Sequence, residues 1–219
     1  MEIDRAISTH ELISTKFTLF NLEGRFRQLI GTPEQSGVIF IWGDSCQGKT
    51  WFALQLAKEL CKHVNRVAYN SLEEGKSFSM QRAWDGNNMI EQGTKMVLLN
   101  KEPLLILDRR LEKRKSPEVV FIDSWQYVRK PFWQFVDFVE KHSNKLFVVI
   151  SQEEKGKPKG KSADDVRYHA DVKIHIRGFI AFASSRVGDP VPYIIWEKGA
   201  RRFHGDKVVD DIINQGNIY

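Results

Sequence analysis

Residues Gly43-Asp44-Ser45-Cys46-Gln47-Gly48-Lys49-Thr50 satisfy GxxxxGK[ST] at every fixed position. No other feature restricts the fold of the chain as strongly, because this loop works only where a buried strand hands over to a helix. Both neighbours have the required character. Val38-Ile39-Phe40-Ile41-Trp42 is an uninterrupted apolar run ending at a glycine, as a strand covered on both faces requires. Over residues 49–61, Phe52, Leu56 and Leu60 recur at four-residue spacing and predict a helix. In such a loop the glycines let backbone N–H groups curl around phosphate oxygens, and the helix N-terminus adds partial positive charge. Lys49 is then expected to reach the β- and γ-phosphates and Thr50 to ligate Mg2+.

Strand and helix signals alternate through the rest of the chain. Further strands are predicted at 66–70, 119–122 and 146–150, a mixed helical stretch at 76–93, and an aromatic-rich helix after Pro131 presenting Phe132, Phe135, Val136 and Val139 on one face. From Asp171 the runs shorten to 172–176, 179–183 and 192–196, which read as edge strands or hairpins. Strands spaced by helices imply crossovers, hence an α/β fold with a mostly parallel sheet and helices on both faces. A chain of 219 residues is one ordinary domain. The expected division is an N-terminal helical extension over 1–30 and a core over 31–219.

The loop needs an acidic partner at the end of another buried strand. Asp123, after Val119–Ile122, has that position and is the expected metal-holding carboxylate. Hydrolysis further requires a carboxylate that orients the attacking water. Glu73 and Glu74, just after the 66–70 strand, would stand on the same sheet edge, since parallel strands share their C-terminal side. Position alone does not choose between them.

With 42% hydrophobic and 28% charged residues the chain has a globular composition, which excludes disordered and fibrous classes. No apolar run approaches the roughly 18 residues of a membrane helix. Charges within the first thirty residues (Glu2, Asp4, Arg5, His10 and Glu11) break any signal-peptide core. Two cysteines, neither in a CxxC pair, suit a reducing, cytoplasmic setting. The net charge of +5 is compatible with a polyanionic partner. Lys155, Lys157, Lys159 and Lys161, interleaved with glycine and proline, form the one expected mobile loop. Such a loop could follow a phosphate backbone without reading bases, or simply be solvated. The mixed cluster at 109–115 reads as a solvated face.

Together these residues resemble the RecA-like P-loop ATPases, on the branch that includes DnaB-type helicases, RadA and KaiC. Ser71-Leu72-Glu73 is similar to the step that carries the catalytic glutamate there, which selects Glu73 as base. Phe121-Ile122-Asp123-Ser124-Trp125-Gln126 resembles the RadA-like Walker B segment, and Val149-Ile150-Ser151-Gln152 the strand whose polar end senses the γ-phosphate, making Gln152 the sensor. Tyr168–Ile174 resembles a strand entry of the same proteins. Trp196-Glu197-Lys198-Gly199-Ala200-Arg201 looks like the element whose lysine and arginine reach a neighbouring subunit's nucleotide, although Ala200 occupies the strict K-x-R position. Leu29–Glu34 is similar to compact RecA-like ATPases of phages and mobile elements.

The resemblance implies a three-layer RecA-like core that binds ATP and Mg2+ and hydrolyses ATP. It also implies assembly into a ring or filament, and action on DNA, single-stranded rather than double-stranded, in recombination, replication or helicase loading. A replication or recombination protein is an expected partner and a membrane is not. The alternative is a nucleotide-dependent regulatory or assembly module with little turnover. A small-molecule P-loop kinase fits less well, because about 37 residues precede the phosphate strand.

Overall fold

The computed structural model describes residues 5–184 and 190–217. Residues 1–4 of the expected N-terminal extension lie outside them. The remainder of that extension is helical at α1 (Thr9–Ser14), which buries no side chain, and at α2 (Gly24–Ile30). Phe20, Leu22, Phe26, Leu29 and Ile30 from this stretch are buried in the main core, so its second half is part of the globular body.

Among the described residues nine strands form one sheet: β1 (Gly37–Gly43), β2 (Val67–Ser71), β3 (Met96–Asn100), β4 (Val119–Asp123), β5 (Leu146–Glu154), β6 (Lys157–Pro158), β7 (Val172–Arg177), β8 (Ile180–Ser184) and β9 (Tyr193–Ile194). Their order is β3-β2-β4-β5-β1-β7-β8-β9, with β6 paired to β5 alone. Pairing is parallel from β3 to β7 and antiparallel for β7–β8, β8–β9 and β5–β6. The mostly parallel sheet and the late antiparallel strands match the sequence expectation. β3 is an addition to it, because Met96-Val97-Leu98-Leu99 is too short an apolar run to be told from a helix segment.

Alternation along each strand sends side chains into two separate cores. On one face Ile39, Ile41, Tyr69, Phe121, Val148 and Ile174 pack under α2, α3 (Lys49–Leu60) and α4 (Phe78–Gly86). On the other, Phe40, Ala68, Ile122, Phe147 and Val149 pack under α5 (Leu104–Leu111), α6 (Phe132–Lys141) and α7 (Lys161–His169). In α6 the buried stripe is Phe135, Phe138 and Val139, so Phe138 takes the place expected of Val136. A small third cluster holds α8 (Glu197–His204) and α9 (Asp206–Gly216) against β8 through Ala200, Val209, Ile212 and Ile180.

The lysine-rich segment also differs from expectation. β5 runs on to Glu154, Lys155 and Gly156 both adopt positive φ, and the chain returns as β6. This is the mirror-image two-residue turn that matches strand twist. The expected mobile loop is therefore a paired hairpin, followed directly by α7. The cluster at 109–115 is surface, as expected, apart from the buried Leu111 and from Arg110, which pairs with Glu102.

Candidate functional site

The C-terminal ends of β1, β2, β4 and β5 open into one cleft of about 580 Å3, lined by the phosphate loop, Thr50, Glu73, Glu74, Asp123 and Gln152 among others. Register explains the convergence. Ser71 on β2 pairs with Asp123 on β4, and Gly43 on β1 pairs with Gln152 on β5, so all four strand ends lie at one level. A Cβ at Gly43 would sit 2.3 Å from the Ile176 carbonyl oxygen of β7, so only glycine lets the loop leave the sheet here. Gly48, at φ 99°, turns the loop into α3, which starts at Lys49.

Lys49 Nζ donates to the Asp44 carbonyl at 2.7 Å and so lies over the mouth of the loop. Burial lowers its pKa, against the pull of Asp123, Glu73 and Asp44, which hold the ammonium charged. The Asp123 carboxyl is raised to about 6, first by burial, with the neighbouring Glu73 adding to the effect; a 2.6 Å bond donated by Tyr69 Oη to Asp123 Oδ2 opposes it. The phenol is also within hydrogen-bonding reach of Thr50, so Thr50, Tyr69 and Asp123 form a chain. A hydroxyl and a carboxylate are hard oxygen donors of the kind Mg2+ takes, and a cation would offset the charge that burial penalises at Asp123. These residues fit Mg2+.

Glu73 owes its place to the backbone: the amides of Leu72 and Glu73 both donate to the Asp123 carbonyl, at 2.5 and 3.2 Å. Its carboxylate accepts from Ser124 Oγ at 2.9 Å and from Gln152 Nε2 at 3.2 and 3.3 Å. Glu74 also borders the cleft, but its carboxylate turns to Ser77 and Ser79. The two acids that position alone leaves equivalent thus differ in their partners, and Glu73 is the one tied to the sensor strand.

Several contributors escape a reading of the sequence. Tyr69 lies in the middle of a buried strand, where an aromatic reads as core. Gln126 accepts from the Gln152 amide at 3.1 Å and donates to Ser151 Oγ at 2.8 Å and to the Lys159 carbonyl at 3.0 Å. Trp51 and Phe179 also line the cleft. The one sequence signal among these is Gln126, at the end of the Walker B-like segment.

The four hairpin lysines are all exposed. Lys159 borders the cleft and its amide donates to the Gln152 carbonyl at 2.8 Å; Lys161 is the first residue of α7. Lys198 and Arg201 lie on α8, a helix rather than a strand end. Lys198 is exposed, whereas Arg201 pairs with Glu197 at 2.8 Å, Asp210 at 2.8 Å and Asp206 at 3.2 Å. These carboxylates must release Arg201 before it can reach a second subunit.

Solved structures share this architecture. The ATPase domain of a helicase superposes with a TM-score of 0.55 at 18% identity, over 72% of this chain and 80% of that one. The flagellar accessory protein FlaH from Methanocaldococcus jannaschii gives 0.53 at 16%, over 73% and 80%. A prototypical ATPase from the type III secretion system of pathogenic bacteria gives 0.53 at 13%, over 73% of this chain and 56% of its own. No family model and no curated protein matches the sequence. At these identities the likeness establishes the fold: the chain is a RecA-like P-loop domain. Among the described residues no helix is long and apolar enough to cross a membrane.

Proposed function

We propose that this domain binds ATP with Mg2+ and hydrolyses it, with Lys49 on the β- and γ-phosphates, Thr50 and Asp123 holding the metal, Glu73 as general base and Gln152 as γ-phosphate sensor. The observation that carries the reading is the Glu73 carboxylate, held by Ser124 and Gln152 inside the cleft that Lys49 and Thr50 also line. A carboxylate fixed there can accept a proton from a water attacking in line with the γ-phosphate. Bound Mg2+ would supply charge neutralisation on the phosphate oxygens. The role of this chain is to orient the triphosphate and to keep the base ionised beside it.

In the same reading the domain is a motor core that acts on DNA, single strands preferred, as a cytoplasmic ring or filament in replication, recombination or helicase loading. The support is a contact path: Lys159 of the basic hairpin bonds Gln152, which bonds Glu73. A polyanion drawn to the hairpin is therefore two contacts from the base. The test is ATP turnover by the wild type and by Glu73→Gln, each with and without single- and double-stranded DNA. Hydrolysis should fall about 10²- to 10⁴-fold in the variant while ATP binding persists. Turnover at the wild-type rate would show that Glu73 is not the base.

One observation favours the second reading, a regulatory or assembly module with little turnover: Arg201 is engaged by three carboxylates of its own chain. Sedimentation with a non-hydrolysable ATP analogue separates the two. A strict monomer would remove the trans-acting role of Lys198 and Arg201.

A further inference from the structure

Beside the phosphate cleft lies a second hollow of about 420 Å3, walled by Gly48, Trp51, Phe179, Ile195 and Trp196. The two spaces are continuous, since Gly48, Trp51 and Phe179 border both. We propose that this hollow receives the base of the bound nucleotide by stacking alone, so that the site is nearly indifferent to which base it holds. The inference rests on the nucleotide reading above and adds to it a specificity.

The walls are built for flat apolar contact. Phe179 and Trp196 meet edge to face, ring centroids 5.0 Å apart and planes at 89°. Trp51 follows Thr50 directly, with its indole against Gly86 of α4; a Cβ on that glycine would lie 2.7 Å from the ring. Gly48 and Gly199 play the same part for the other two rings: a Cβ at Gly48 would stand 3.2 Å from Phe179, and one at Gly199 2.3 Å from Trp196. Trp51 and Trp196 keep 42% and 48% of their surface exposed, large values for tryptophan, so their faces are available to a ligand.

Phe179 is held at a cost. It is the second residue of the two-residue turn between β7 and β8 and has φ 63°, a left-handed conformation unfavourable for a bulky side chain. The turn is fastened to the phosphate loop, because the Gly178 amide donates to Gln47 Oε1 at 2.6 Å. It is also fastened to the opposite wall, where the Ile195 amide donates to the Phe179 carbonyl at 2.9 Å. Strain locked in by such bonds places an aromatic ring where a glycine would otherwise be preferred.

The walls carry no side-chain hydrogen-bond acceptor, and their side-chain donors are the two indole N–H groups. The amino group of adenine or guanine thus finds no side-chain partner. Stacking is sequence-tolerant because every base has a π face, and a pocket without matched polar groups discriminates weakly.

The experiment is isothermal titration, in Mg2+ buffer, of ATP, GTP, CTP and inorganic tripolyphosphate. ATP and GTP should bind within about threefold of each other and CTP within about tenfold, with tripolyphosphate at least about tenfold weaker than ATP for want of stacking. Trp51→Ala and Trp196→Ala should each weaken the three nucleotides about tenfold and leave tripolyphosphate unchanged, which separates a lost wall from a damaged fold. Trp51→Phe should restore most of the loss. Tripolyphosphate binding as tightly as ATP would overturn the stacking role, and a preference for ATP over GTP of a hundredfold or more would overturn the indifference. Failure of all four to bind would instead overturn the nucleotide reading itself.

Discussion

Gln152 Nε2, at the end of β5, lies 3.2 Å from Glu73 Oε1, at the exit of β2, although 79 residues separate them in sequence. The bond spans the cleft in front of Lys49 and makes the carboxylate's orientation depend on the sensor strand. Gln152→Ala should therefore lower kcat by about tenfold or more with little change in KM, since the base is disordered while ground-state phosphate contacts remain. Steady-state ATPase kinetics check this. A pure KM effect would assign Gln152 to binding alone.

Tyr69→Phe isolates the phenol bond to Asp123, because the ring, stacked on Phe121 at 5.5 Å, can stay. Loss of a donor to a buried carboxylate should cost about 1–3 kcal/mol, read by urea unfolding. The pH dependence has a definite sign. Burial lifts the Asp123 carboxyl from 3.8 to about 6. The unfolded chain therefore gives up this proton first, and wild-type stability without Mg2+ falls as pH climbs across that window. Removing the phenol, which holds the pKa down, should push it higher. The variant's deficit should thus be larger at pH 8 than at pH 5.

The two cysteines should react very differently. Cys46 is exposed on the phosphate loop, whereas Cys61 is buried and its thiol is pushed up to about 11. At pH 8 Cys61 carries about one thiolate per thousand molecules, so iodoacetamide should modify Cys46 first. Saturating ATP and Mg2+ should slow that reaction. Peptide mass spectrometry reads both sites, and equal labelling with and without ATP would count against a nucleotide on the loop.

Replacing Lys155, Lys157, Lys159 and Lys161 by glutamine should remove stimulation of ATP turnover by single-stranded DNA and leave the basal rate within about twofold. If all four contact phosphates, the salt slope of DNA binding should fall by roughly 3, at about 0.7 per phosphate. Fluorescence anisotropy across a salt series measures it. An unchanged slope would return the hairpin to the solvated surface.

How far the sequence can be read depends on how local each signal is. The four inner strands, the phosphate loop and Asp123 announce themselves in continuous apolar runs and one motif, because double-sided burial leaves no room for polar residues along a parallel strand. β3 and α5 are not legible, since short apolar runs at a sheet edge carry too little periodicity. The lysine segment misleads for a related reason: its glycines and proline suggest irregularity, and only the pairing of Glu153 and Glu154 with Pro158 and Lys157 makes it a hairpin.

The sequence alone determined that a phosphate-cradling turn joins a buried strand to a helix, and that acids follow two further strands. Those features are written in neighbouring residues, whose spacing dictates local backbone geometry. The choice of Glu73 over Glu74 by its bonding partners, the phenol on Asp123, the restraint of Arg201 and the aromatic hollow beside Gly48 were decided by the tertiary structure. Each depends on side chains brought together by strand order and register, and no stretch of chain records which distant partner will complete a hydrogen bond or close a wall.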